Sequence, residues 1–173
     1  QIFGGSGGGS GRLWDRVREK EGLSYGVGSS LSGGQFNRHA DWSVFAIAAP
    51  QNVAGVRTAF SEETARARRD GFTAAELERA KTSIAASSRL ARAQDGSLAS
   101  ALDSFVERAK TPLYFAELDA LRAQITLDEV NAAFRKYVVP EKMVFGVAGD
   151  FASVAATPGA TAKSAGIAVP APR

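Results

Sequence analysis

Residues 12–30, Arg12-Leu13-Trp14-Asp15-Arg16-Val17-Arg18-Glu19-Lys20-Glu21-Gly22-Leu23-Ser24-Tyr25-Gly26-Val27-Gly28-Ser29-Ser30, change their period partway. Leu13 and Val17 fall on one face of a short helix, and Ser10 stands where a hydroxyl can cap it. Gly22 is placed to end that helix in the left-handed conformation that glycine tolerates. From Ser24 to Leu31 the pattern alternates. Tyr25, Val27, Ser29 and Leu31 share one strand face, while Gly26, Gly28 and Ser30 occupy the other, where the lack of bulk permits close approach. A helix feeding directly into a half-buried strand is the seed of a mixed fold.

Downstream, Trp42 to Ala48 reads as a second strand, joined to the first by a long hairpin over Ser32 to Asp41. Val53, Val56 and Phe60 then recur at helical spacing, on a helix ending near Asp70-Gly71. Thr73-Ala74-Ala75-Glu76 is a capping box with Phe72 and Leu77 as its hydrophobic staple, and the apolar stripe continues through Ala80 and Ile84. Asp95-Gly96 divides that helix from another reaching about Ala109, and Pro112 opens a further one through about Ala123. Thr126-Leu127-Asp128-Glu129 repeats the capping box with Ile125 and Val130 as its staple, and Val130, Ala133, Phe134 and Tyr137 form the stripe. Pro140 stops this helix, and Met143 to Ala148, apolar on both alternations, reads as a buried strand. The order predicts an α+β fold, helices packed on a small, mostly antiparallel sheet, whose edge needs cover and whose further strand is expected upstream of Gln1.

Gln1-Ile2-Phe3 opens abruptly on apolar residues and leads into Gly4 to Gly11, which reads as part of something longer. Residues 1–150 are expected to form one domain, truncated at its N-terminus, and 151–173 an Ala/Pro-rich tail. With 173 residues, 45% of them hydrophobic, the chain suffices for one sizeable core. No apolar run approaches the ~20 residues that cross a bilayer. The net charge of +3 comes from cations alternating with acids along helices, not from basic clusters among aromatics, so nucleic acid is not the expected partner.

The chain has no cysteine and one histidine, His39. A zinc site without thiolates normally needs two or three imidazoles with a carboxylate, so no complete site can be assembled from these residues. His39 stands in the hairpin and receives no role. Ser24, Ser29 and Ser30 have no other histidine to serve as base. Glu76 and Glu129 already have structural work in their capping boxes. Arg66, Arg68 and Arg69 read as a solvated helix end, where the dipole favours cations. The glycine run lacks the Gly-Lys-Ser/Thr closure and the dinucleotide spacing, which excludes nucleotide binding. Gly4, Gly5, Gly7, Gly8 and Gly9 remain either a flexible, substrate-facing loop or an artificial Gly/Ser linker. The run continues straight into helical residues, which favours the native loop.

Arg12 to Ser30 closely resembles the signature of the C-terminal domains of the pitrilysin/insulinase family, whose members include bacterial periplasmic peptidases and the mitochondrial processing peptidase. The resemblance extends through Asp70-Gly71-Phe72-Thr73-Ala74-Ala75-Glu76-Leu77-Glu78-Arg79-Ala80-Lys81, and Val144 to Asp150 looks like the family's final core strand. It covers the chain to about Asp150; the first block is specific, the second supportive. The resemblance implies a clamshell of paired α+β halves. One half carries the inverted zinc motif His-x-x-Glu-His with a downstream Glu; the other offers an arginine and a tyrosine seven residues apart that face the zinc across the cavity. Here these are Arg18 and Tyr25, and the inverted motif is absent.

A guanidinium and a phenol are donors suited to the negative charge that builds on a peptide carbonyl under attack by zinc-bound water. The resemblance therefore implies a substrate-binding, non-zinc half of a zinc metalloendopeptidase, inactive alone. Zinc is expected in a partner half elsewhere in the parent chain or on a separate subunit, with a peptide as substrate and a periplasmic location. In the alternative, Arg18 pairs with a nearby Glu, Tyr25 packs in the sheet, and the domain is structural or peptide-binding without catalysis.

Overall fold

The computed structural model describes residues 1–5, 10–33 and 40–151. Helix α1 (Arg12–Trp14) continues without a break into a π-helical turn, Asp15–Lys20. Strands β1 (Gly26–Gly33) and β2 (Ala40–Ile47) follow. A 3-10 turn at Pro50–Asn52 leads into α2 (Val53–Asp70), and then come α3 (Ala74–Arg92), α4 (Asp95–Glu107), α5 (Tyr114–Gln124) and α6 (Leu127–Tyr137). The expected α+β class is what forms: among the described residues, six helices pack with an antiparallel pair of strands.

The start of α1 differs from expectation. Its first residue is preceded by Gly11 at φ 125°, and no side chain caps it. Instead the carbonyls of Ile2 and Phe3 accept from the N–H groups of Arg12 (3.1 Å) and Leu13 (2.9 Å). Backbone oxygens thus satisfy donors that an Ncap hydroxyl would otherwise meet, so Ser10 is not needed. The same turn carries Phe3 into the core, 4% exposed, where its ring meets Trp42 (5.6 Å), Phe60 (6.1 Å) and Phe134 (5.2 Å). Leu13, Val17, Val27, Ala59, Ala67 and Phe72 complete this cluster. Each large side chain removed from water here contributes about 1.5–3 kcal/mol before the entropy of ordering it.

The strands pair from Gly26↔Ile47 to Gly33↔Ala40. Strand pairing therefore reaches further into the expected hairpin loop than the sequence suggests, and positions 34–39, His39 among them, lie outside the described residues. Val27, Val44 and Trp42 face the helices, while Phe45 and Ile47 lie on the outer face beside Gly28 and Gly26.

Both capping boxes form, with Thr73 and Thr126 each accepting from the N3 backbone while Glu76 and Glu129 reach back to the Ncap N–H. Gly71 ends α2 at φ 76° with Asn131 side-chain atoms 2.9–3.0 Å from where a Cβ would stand. Asn131 exchanges bonds with Phe72, accepting from its N–H at 2.7 Å and donating to its carbonyl at 3.5 Å. This docking turns α6 so that Leu127, Val130 and Phe134 pack on the core, while Ala133 and Tyr137 of the expected stripe face solvent. Arg68 is likewise more than a solvated helix end: it donates to the carbonyls of Arg135 (2.7 Å) and Val138, and Arg135 donates back to the Arg68 carbonyl at 2.9 Å. Two helix C-termini lying side by side are thereby capped by each other's cations.

Helices α3, α4 and α5 form an arm with its own aromatic contacts, Phe105 to Tyr114 (5.3 Å) and to Phe115 (4.7 Å). Met143 to Ala148 forms no strand. Val144 is 95% exposed, while Phe145 is anchored, its ring 5.6 Å from Phe60 and 4.8 Å from the Arg57 guanidinium. A strand needs a neighbour for its N–H and C=O groups, and among the described residues none runs beside it. The tail, 152–173, lies outside the described residues.

Candidate functional site

Arg18 and Tyr25 come together where the π-helical turn gives way to β1. The Glu21 N–H reaches back to the Arg16 carbonyl at 3.0 Å and the Leu23 N–H to Val17 at 2.8 Å. Gly22 follows the turn at φ 60°, as its position predicts. The hydroxyl of Ser24, buried, donates to the carbonyls of Gly26 (2.7 Å) and Ile47 (2.8 Å), and the Tyr25 N–H donates to Ile47 at 2.9 Å. Tyr25 is thus fixed by its backbone while its side chain is 80% exposed, outside the sheet packing.

The Arg18 guanidinium lies 5.4 Å from the Tyr25 ring centroid and donates to the Tyr25 carbonyl. Its Nε is 3.8 Å from Glu19 Oε1, beyond hydrogen-bond range, so the ion pair is loose. Five N–H donors stand on a guanidinium, and most of these are left for a ligand. The Tyr25 hydroxyl has no partner among the described residues.

Trp14, which the sequence reading does not single out, is the third member of this rim. Its ring centroid is 4.5 Å from the Arg18 guanidinium, and its indole N–H donates to Glu19 Oε1 at 3.2 Å. An aromatic four residues ahead of the arginine on a helix is the signal that points to it.

Gly4 and Gly5 are not in a flexible loop. Both are buried, the Gly5 carbonyl accepts from the N–H of Ser29 at 3.1 Å, and a Cβ on Gly4 would stand 2.6 Å from the Ser29 Cβ. Glycine is required because this turn lies directly against β1. Gly7, Gly8 and Gly9 lie outside the described residues.

Behind the rim, charges are consumed within the fold. Glu63, buried, accepts from Arg16 (3.3 Å) and Arg66 (2.6 Å), while Arg16 also reaches Glu21 (2.7 Å) and Glu62 (2.5 Å). The hydrogen bonds that Arg16 donates to Glu21 and Glu62 raise its pKa above its ordinary value. Glu76 takes a bidentate pair from Arg12 (2.6 and 2.8 Å) besides the Thr73 N–H and hydroxyl, and the Arg12 bonds first of all hold its pKa down to about 2. No group of three or more His, Asp or Glu among the described residues could hold a metal ion. Among the described residues the donor set therefore does not fit zinc.

The described residues thus form an α+β fold with a rim of exposed cationic and phenolic donors and no group that could hold a metal ion. Residues 1–84 match the family model described as the Peptidase M16 inactive domain. A peptidase M16 inactive domain from Pseudomonas fluorescens is 29% identical over 79% of this chain and 32% of its own, with a TM-score of 0.66. A conserved protein from Enterococcus faecalis is 24% identical over 78% of this chain and 30% of its own (TM-score 0.63). The periplasmic protease PqqL from Escherichia coli is 21% identical over 73% of this chain and 14% of its own (TM-score 0.56). The last two show the shared fold alone. The chain spans less than a third of the length of each of these structures. No curated protein matches the chain in sequence.

Proposed function

We propose that this domain is the substrate-binding, non-zinc half of a zinc metalloendopeptidase. It would complete the active site of a His-x-x-Glu-His half carried elsewhere in the same polypeptide or by a separate subunit, and the zinc belongs to that half. The observation that carries this reading is the rim itself: Arg18 and Tyr25, far apart as a helix end and a strand start, converge to 5.4 Å with the phenol exposed. A guanidinium and a phenol held this way can donate to the backbone of a peptide and to a carbonyl oxygen gaining negative charge. A periplasmic location belongs to the same reading and is supported by the likeness to a periplasmic protease.

A second reading, a structural or peptide-binding domain without catalysis, is favoured by one detail, the internal use of an Arg18 donor by the Tyr25 carbonyl. Hydrolysis of a quenched fluorescent peptide separates the two. This chain alone should be inactive, and together with its zinc-bearing half it should cleave until a chelator is added. Arg18→Ala and Tyr25→Phe should then each lower kcat/KM by about a hundredfold, as loss of one oxyanion donor does. Unchanged turnover in both variants would leave only the second reading.

A further inference from the structure

The Arg18 guanidinium lies between two aromatic rings, Tyr25 and, closer, Trp14, which stands at the π-helical turn. The i to i+5 bond from Glu21 to Arg16 widens the helix at residues 15–20. In an α-helix the residue four places on lies above the first and the residue five places on turns away. Here both follow Trp14: Arg18 lies 4.5 Å from its ring centroid, and Glu19 accepts its indole N–H at 3.2 Å. Trp14 is itself partly buried and packed against the core cluster to which Leu13 and Val17 belong. π-Turns of this kind recur at working sites because they re-aim side chains.

We infer that Trp14 is a positioning residue: its ring, seated on the core and tethered by Glu19, holds the Arg18 guanidinium at the rim beside Tyr25, ready for a peptide carbonyl. Arg18 would otherwise sample many rotamers and lose them on binding. The aromatic face attracts the cation without consuming its N–H donors, so the guanidinium is oriented and yet remains free to donate to a ligand. A carboxylate in place of the ring would have competed for those donors. Glu19 instead spends its bond on the indole and stays 3.8 Å from Arg18.

This inference rests on the reading of Arg18 as a substrate contact, and two measurements keep the two apart. In the intact peptidase, this chain with its zinc-bearing half, Trp14→Leu should lower kcat/KM about two- to fivefold, the size of one exposed cation–π contact. Trp14→Phe should restore most of that loss, and Trp14→Leu should cost nothing more in an Arg18→Ala background. A loss that persists without Arg18, or that Phe does not rescue, would make Trp14 merely structural and overturn the inference. Independently of turnover, the NMR resonance of the Arg18 Nε–H should move on Trp14→Leu, through loss of the ring current, and less on Trp14→Phe. An unmoved resonance would overturn the placement. If Arg18→Ala alone leaves turnover intact, the substrate-contact reading falls and so does the catalytic purpose of the positioning, whatever the resonance does.

Discussion

Replacing Glu76 by Gln tests the ion pair that joins the start of α1 to the start of α3. Glutamine can still serve a capping box, so the substitution removes charge while leaving the cap. In the folded chain the carboxylate receives Arg12 Nε at 2.6 Å and Nη2 at 2.8 Å, with the two side chains 12% and 15% exposed. Arg12 also donates to the Gly71 carbonyl at 2.8 Å and lies 4.8 Å over the Phe72 ring, so its position does not depend on Glu76 alone. The Glu76 pKa falls from 4.5 to about 2. At about 1.36 kcal/mol per unit this sets a ceiling of roughly 3 kcal/mol, and because the pair opens onto a solvated groove we expect about 1–2 kcal/mol. A depressed carboxylate stabilises the fold fully above its unfolded pKa, and the contribution is lost as pH falls through the folded value. Wild type should therefore exceed Glu76→Gln at pH 7 in urea unfolding, with the gap narrowing from about pH 4.5 and nearly closed at about pH 2. Groups common to both proteins cancel in this difference. A gap that is absent at pH 7, or that stays constant down to pH 2, would refute the ion-pair argument.

Thermal or urea unfolding also tests the glycines: Gly5→Ala, at φ 71° with a Cβ 2.1 Å from the Ser10 carbonyl oxygen, should cost more than about 2 kcal/mol. Gly22→Ala, at φ 60° with nothing within 4 Å, should cost only about 1 kcal/mol, and equal losses at the two sites would contradict the contact argument. Phe3→Ala opens a cavity among Trp42, Phe60 and Phe134 and should cost about 3–5 kcal/mol; a loss below about 1 kcal/mol would mean that the opening segment does not belong to the core.

Much of the fold was legible where local chemistry acts alone. The Thr73–Glu76 and Thr126–Glu129 boxes and the left-handed Gly22 depend on residues within a few positions and stand where the pattern puts them, while the helix break falls at Ala93-Gln94, just ahead of the expected Asp95-Gly96, and of the expected inward strand face Tyr25 and Leu31 are exposed. The strand expected at Met143 to Ala148 was not, because apolar alternation marks a segment able to pair but cannot supply its neighbour. Nor was the cap of α1, where carbonyls of Ile2 and Phe3 replace the Ser10 hydroxyl, or the outward turn of Tyr137, which follows from Asn131 gripping Phe72.

The sequence by itself determined the α+β class and limited the chain to a single imidazole and no thiolate, since the first follows from short-range periodicity and the second from a count of ligand-capable residues. It also marked Arg18 and Tyr25 through resemblance, as two positions seven apart. Only the tertiary structure decided that they share a rim, that Trp14 stands against the guanidinium, and that Gly4 and Gly5 are buried against β1. The reason is physical: seating a turn against a strand and a ring against a guanidinium depends on where the folded backbone brings those groups, as when Gly5 meets Ser29, which no local pattern records.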